Sequence, residues 1–375
     1  MDILLQGINA LISNPKLIVM WVIGGVLIYL AIAKDFEPAL LLPMGFGAIL
    51  VNIPMSGAIT QMIDGTPVEG IIDLLFNAGI NTELFPLLIF IGIGAMIDFG
   101  PILQNPFMIL FGAAAQFGIF ITIALAALAG FTLKEAASIG IIGAADGPTS
   151  IFVAGRFAPD LLGPISVAAY SYMALVPVIQ PLAIKLVTTK KERMIRMTYK
   201  AENVSKTTKI IFPIAITVIA GIIAPNAVPL IGFLMFGNLL RECGVLDRLS
   251  NSAQNELVNI VTILLGITIA TKMQADKFLT LQTGLIILMG LFAFIFDTIG
   301  GVIFAKIINM FRKEKINPMI GAAGISAFPM SARVIQKMAQ KEDPQNFVLM
   351  YAVGANVAGQ IASVIAGGLI LMLVK

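Results

Sequence analysis

The stretch GAADGPTS, residues 143–150, sets an acid at position 146 inside a run that otherwise reads as membrane. Between Lys134 and Arg156 only Glu135 and Asp146 carry charge. A charged group at mid-bilayer costs roughly 2.5–3.5 kcal/mol even on insertion scales, so it needs a partner or a purpose. Gly147 and Pro148 follow directly. Proline lacks the N–H and its ring clashes with the carbonyl four residues back, so a helix must break here. The freed carbonyls, the Asp146 carboxylate and the hydroxyls of Thr149 and Ser150 make a hard, all-oxygen environment, suited to an alkali cation or a proton and not to a soft metal. Asp146 also fits a plainer role, capping the half-helix that begins after it. The two roles are compatible.

A second stretch, NPMIGAAGISAFPMSARV at 317–334, repeats the pattern with Gly324 in place of the acid. It offers Asn317, Ser326, Ser331 and Arg333 around another helix breaker, Pro329. Neutral amide and hydroxyl oxygens from this stretch would complete the shell of a cation held by Asp146. Arg333 reads either as a functional cation or as a side chain snorkelling to the interface. Two later helices correspond as well: YSYMALVPVIQP (170–181), with Tyr170, Tyr172 and Gln180, and YAVGANVAGQIASVIAGG (351–368). In the latter, Asn356, Gln360 and Ser363 fall on one helix face. Its glycines permit close packing, whereas a buried amide such as Asn356 needs a partner. Tyr172 reads as a proton relay or an interfacial anchor. Asp297, in FIFDTIGG, is a further mid-span carboxylate with a weaker claim on the same cavity.

The elements that position these residues follow from composition. The chain has 375 residues, 58% hydrophobic and 12% charged, against about 25% charged in soluble domains. With a mean hydropathy of +0.96, this predicts an all-α polytopic membrane protein. Candidate spans are 17–33, 38–53, 83–98, 104–130, 136–157, 162–187, 208–224, 226–240, 256–272, 279–308, 316–337 and 346–373, some of them Gly/Pro-broken. That gives about 10–12 transmembrane or re-entrant helices. A net charge of +3 gives no reason to expect a nucleic-acid partner. One cysteine excludes an internal disulfide, and the absence of histidine removes the usual proton shuttle. The N-terminus has no basic n-region and does not read as a cleaved signal. There is no nucleotide-binding loop and no Ser/His/Asp set.

The polar segment 188–209 carries seven Lys/Arg against two Glu, which predicts the cytoplasmic side. It separates a first membrane repeat (1–187) from a second (208–375), with 188–207 as the basic connection. FGPILQN after Asp98 matches KFLTLQT after Asp276, and GIIGAADGPTS matches PMIGAAGISAF, both at an offset of 178 residues. Coincidence between Gly/Ala-rich stretches is the plain alternative. Internal repeats with corresponding interrupted segments point to a transporter-type site at the repeat interface. If every span crosses, the repeats are parallel; one non-spanning segment would make them inverted.

Taken together, IGAADGPTSIF, AAYSYMALVPVIQP, NPMIGAAGISAFPMSARV and GANVAGQIAS are similar to the β subunit of the biotin-dependent, sodium-pumping decarboxylases for oxaloacetate, methylmalonyl-CoA, glutaconyl-CoA and malonate. The resemblance runs from about residue 15 to the C-terminus. It implies a membrane carboxybiotin decarboxylase subunit that couples decarboxylation and proton consumption to sodium export across a bacterial inner membrane. It implies Asp146 as the sodium- and proton-linked carboxylate, functional roles for Tyr172, Asn317, Gly321, Ser326 and Arg333, and Asn356 as a cation-site amide. Sodium would then be held by Asp146, Asn317, Gly321, Ser326 and Asn356. Arg333 and Ser326 would face the cofactor. The family is related to transporters with inverted repeats and crossing broken helices. No biotin-attachment Met-Lys-Met occurs, so biotin must come from a carrier subunit. A carboxyltransferase α subunit and a small membrane subunit are the other partners implied. Segment 188–209 reads as a solvated linker or a docking surface for them, and small-residue helix faces leave room for a homo-oligomer. The rival readings are a sodium/carboxylate symporter or cation/proton antiporter without biotin chemistry, and a non-catalytic scaffold.

Overall fold

A computed structural model describes residues 2–34, 36–63, 65–197 and 203–374. Helix α1 (Asp2–Ser13) precedes α2 (Lys16–Lys34) and α3 (Pro38–Val51). A small hairpin pairs Gln61–Ile63 with Thr66–Val68. Then follow α4 (Ile71–Phe76), continued by a wide turn to Asn81, and α5 (Leu84–Met96), bent from it by 59°. Next come α6 (Gly100–Gln104), α7 (Ile109–Ala114), α8 (Phe117–Leu128), α9 (Leu133–Gly140), α10 (Gly147–Phe157) and α11 (Leu162–Val187). The second half holds α12 (Lys190–Arg193), α13 (Lys206–Ile223), α14 (Val228–Glu242), α15 (Asp247–Ser252), α16 (Val258–Ile269) and α17 (Ala275–Phe278). It ends with α18 (Leu281–Phe311), α19 (Met319–Ala322), α20 (Met330–Glu342) and α21 (Leu349–Leu373). Among the described residues, seven helical stretches are long and apolar enough to span a bilayer, or eight when the bent pair is taken as one span. The expected all-α membrane architecture is what the chain adopts. Helix α1 and the strand hairpin were not anticipated.

Of the expected spans, 38–53 and 226–240 form helices of only 14 and 15 residues, short of a full crossing, and two others turn back. Over 136–157 the chain leaves α9 through a 3₁₀ turn at Ile141–Ala144, puts Ala145 in the left-handed region (φ 53°) and restarts at α10. A left-handed alanine costs about 1–2 kcal/mol, and Pro148 fits only because it lies in the first turn of the new helix. The ammonium of Lys134 sits 5.9 Å from the centre of the Phe157 ring. The outer ends of α9 and α10 therefore meet, and the segment is a hairpin. Over 316–346 the same happens: Asn317 and Asn346, at its two ends, both donate to the carbonyls of Arg193 and Ile195. Because α11 ends at the basic connection and begins beside α10, the first hairpin enters from the face opposite that connection. The second enters from the connection's own face.

The expected solvated linker is anchored where it is described. Arg193 pairs with Glu342 at 2.7 Å and Arg196 with Asp343 at 2.6 Å. The Arg196 guanidinium holds the Asp343 carboxyl below its ordinary range. Residues 198–202 of that segment lie outside the described residues.

The hairpin topology is open to test by single-cysteine labelling in a Cys243→Ser background. Cysteines replacing Leu133 and Asp160 should react with an impermeant maleimide from one face of the membrane. Cysteines replacing Lys313 and Gln345 should react from the other. Labelling of Leu133 and Asp160 from opposite faces would show a crossing instead of a hairpin.

Candidate functional site

The tips of the two hairpins meet inside the protein. Ser326, at the tip of the second, donates its N–H to the Ala144 carbonyl of the first at 3.0 Å. Helix α21 backs both. Its Ser363 hydroxyl and Gln360 amide donate to one Asp146 oxygen at 2.8 and 2.9 Å. The other oxygen accepts the Thr149 N–H at 3.2 Å, so Asp146 caps α10 as well as occupying the crossing. One turn away, Asn356 donates to the Ile325 carbonyl, and the Ser326 hydroxyl donates to the Gly359 carbonyl at 2.9 Å. Tight backbone approach explains the small residues: a methyl on Gly359 would fall 2.1 Å from the Gly324 carbonyl oxygen.

Asp146 is buried at 2% exposure, and no cation pairs with it among the described residues. Two buried oxygens of the same cluster, Thr149 Oγ1 and Asn356 Oδ1, accept no hydrogen bond from the protein. Buried polar atoms are nearly always satisfied, so each of these two has acceptor capacity left for a water or an ion. No cluster of three acidic or thiol side chains exists among the described residues. A lone carboxylate among neutral oxygens matches a monovalent cation better than a divalent one.

The sequence-expected residues divide. Asp146, Ser326 and Asn356 come together at the crossing. Gly321 lies apart from the acid, against Gly301 of α18: a methyl on it would sit 2.0 Å from the Gly301 carbonyl oxygen. Asn317 does not join the site. Its amide holds the connection, and its side-chain oxygen accepts the Met319 N–H at 3.1 Å. Tyr172 donates to the Ile287 carbonyl on α18, not to Asp146. The tyrosine beside the acid is Tyr170, whose ring lies against Gly147. Asp297 also stays apart, bonded to the N–H groups of Gly118 and Ile119. Gln180 holds the second break, donating to the Ala322 carbonyl at 2.8 Å and to Ser331 at 2.7 Å.

Arg333 opens onto a cleft of about 700 Å³ at the connection's face, between α2, α11 and α20. Lys34, Lys185, Lys337 and Lys341 line it too, with the carboxylates of Glu37 and Glu342, the latter paired with Arg193. Arg333, Lys337 and Lys341 recur every fourth residue and so form one stripe, about 12 Å long at 1.5 Å per residue. That spacing was readable from the sequence. The approach of Lys34 and Lys185 was not. Arg156, close to Arg333 in the repeat register, is instead paired with Glu83 and lies 4.6 Å from the Phe152 ring centre.

Residues 16–374 match the family described as the Na+-transporting oxaloacetate decarboxylase beta subunit. The glutaconyl-CoA decarboxylase subunit beta of Acidaminococcus fermentans is 51% identical over 95% of this chain and 92% of its own. The methylmalonyl-CoA decarboxylase subunit beta of Propionigenium modestum is 49% identical, over 96% and 95%. The oxaloacetate decarboxylase beta chain 2 of Salmonella typhi is 45% identical, over 99% and 98%.

Ser363→Ala and Gln360→Leu should each lower the thermal stability of the detergent-purified protein by about 1–3 kcal/mol, the worth of a hydrogen bond to a charged group plus an unmet acceptor. Since both donors grip one oxygen, the double variant should depart from additivity by at least about 0.5 kcal/mol. Strict additivity would show that they do not share Asp146.

Proposed function

The chain belongs to the β-subunit family of the Na+-transporting decarboxylases, and from that premise we propose that Asp146 is where sodium and the consumed proton exchange. One observation carries this: a buried carboxylate at the crossing of two broken helices, gripped only by neutral donors. Its charge needs one positive counterpart. A sodium ion or a proton serves, and each displaces the other because they neutralise the same charge. Thr149 Oγ1 and Asn356 Oδ1 are the free oxygens that would complete a sodium shell. The first hairpin, entering from the face opposite the connection, gives the proton its route in and sodium its route out.

The cleft around Arg333 fits the carboxylated biotin of a carrier subunit. When bound there, biotin would supply the labile carboxyl group, whose release as CO2 would take up one proton. Arg333, with Lys337 and Lys341 on the same stripe, offsets the anion's charge, and Arg333 stands at the inner end nearest the hairpin tip. Ser326, bonded to the first hairpin and seven residues before Arg333, links the two places. The carboxylic acid itself is then chosen by a carboxyltransferase subunit, and a small membrane subunit completes the assembly in a bacterial inner membrane.

The halves 1–187 and 208–375 are proposed to be inverted copies. Crossed contacts support this. Asp98 pairs with Lys209 at the start of α13, and Asp276 with Lys16 at the start of α2. Gln180 of the first half holds the second break, while Gln360 of the second half holds Asp146. The hairpins enter from opposite faces, which supplies the non-crossing segments that inversion requires.

The test is radioactive sodium uptake into liposomes holding the native complex, driven by substrate decarboxylation, with and without avidin. Uptake should start with substrate and stop with avidin. Asp146→Asn should abolish both decarboxylation and uptake. Arg333→Gln should slow decarboxylation about 10²-fold, the loss of one charge-stabilising donor. Uptake indifferent to avidin, or surviving in Asp146→Asn, would overturn the assignment in favour of a secondary transporter or another sodium ligand.

A further inference from the structure

Helix α18 carries a second buried acid that the scheme above leaves unused. Asp297 lies midway along the helix at 0% exposure. Its Oδ1 accepts the N–H of Gly118 and, at 3.2 Å, of Ile119, in the first turn of α8. No carbonyl of the same helix stands behind these N–H groups, because α7 stops at Ala114; the Ile119 N–H is shared with the Gln116 carbonyl at 3.2 Å. The other oxygen, Oδ2, accepts no hydrogen bond. Gly143 faces it: a methyl there would lie 2.5 Å from Oδ2. Gly143 belongs to the 3₁₀ turn of the first hairpin, three residues before Asp146.

Capping a helix needs one oxygen, and serine or asparagine does it without burying a charge. An acid here leaves its second oxygen with no donor and no cation. The facing elements supply none. Helices α7, α8 and α19 and the turn 141–144 carry no titratable side chain, and on α9 Lys134 lies against the Phe157 ring at the outer end while Glu135 is bonded to Thr132. On α11, the nearby Tyr172 is committed to the Ile287 carbonyl. Also on α11, Tyr170 lies against Gly147 and Lys185 lines the cleft of Arg333, and Asp146, three residues beyond Gly143, brings no positive charge. In the turn itself the Ile142 carbonyl already accepts the Ala145 N–H and the Ala144 carbonyl the Ser326 N–H, each at 3.0 Å. A proton on Oδ2 removes the charge that no neighbouring group offsets.

We propose that Asp297 is a second proton-binding site, holding a proton on Oδ2 against the 141–144 turn and releasing it when the first hairpin shifts. On release the O–H bond breaks and the proton passes to water admitted beside the turn. The charge left behind stays on the carboxylate, met by the Gly118 and Ile119 N–H groups at the positive end of α8. The site goes beyond the assignment of Asp146 and does not require that residue to bind sodium.

Dicyclohexylcarbodiimide, an apolar reagent that adds only to protonated carboxyls, tests this on the intact complex in membranes, with peptide mapping by mass spectrometry. Asp297 should be labelled at acid pH and progressively less as pH rises. Absence of the label at every pH, while Asp146 accepts it, would overturn the proposal. Asp297→Asn keeps the oxygen that caps α8 but cannot exchange a proton. It should assemble with unchanged thermal stability, yet lose sodium uptake about tenfold or more and flatten its pH dependence. An Asn variant with normal uptake and an unchanged pH profile would reduce Asp297 to a cap. Should it fail to assemble, the labelling decides alone. Asp146→Asn separates the two sites: Asp297 labelling should persist in it, whatever becomes of sodium uptake.

Discussion

Inside a bilayer every backbone N–H and C=O must find its partner within the protein, and two broken helices at the centre of this chain violate that rule unless they satisfy each other. They do so at one contact, the Ser326 N–H donating to the Ala144 carbonyl. Around it the remaining freed groups are claimed from α21, with Asn356 on the Ile325 carbonyl and the Gly359 carbonyl taking the Ser326 hydroxyl. Glycines are spent here to let backbones touch, as at Gly324 and Gly359. The left-handed Ala145 is tolerated because the surrounding contacts over-determine it.

That crossing sets where charge can reside. Asp146 is held by an amide, a hydroxyl and a backbone N–H, none of which neutralises it. An arginine in their place would form a permanent ion pair with it. The cations are kept apart instead, in the cleft of Arg333, Lys337 and Lys341. Acid and cations are thus connected through the second hairpin without cancelling one another. The same separation holds at Asp297, where a helix N-terminus and not a basic side chain meets the carboxylate.

The connection between the halves also does structural work. Arg193 and Arg196 reach the end of α20, and the carbonyls of Arg193 and Ile195 accept from both Asn317 and Asn346. One extended stretch therefore closes the base of the second hairpin. Asn317, whose type suggested a cation ligand, is engaged in that closure. A residue type announces hydrogen-bonding capacity, but only its neighbours decide whether the partner is an ion or a backbone.

Reading along the chain is enough to establish the solvent, the class of fold and the places where helices must fail. Those follow from hydropathy, length and proline chemistry, which are local. It also marked Asp146 as the acid to explain and placed Asn356, Gln360 and Ser363 on one face, because helical periodicity is local too. Whether 136–157 and 316–337 crossed or turned back was left open, since both paths have the same apolar composition. The pairing of Gln360 and Ser363 with an acid more than 200 residues away, the exchange of Tyr172 for Tyr170 beside it, and the gathering of Lys34 and Lys185 around Arg333 were decided only by tertiary structure. Each depends on which helices become neighbours, and that is settled by the mutual satisfaction of two distant breaks, a condition no single segment contains.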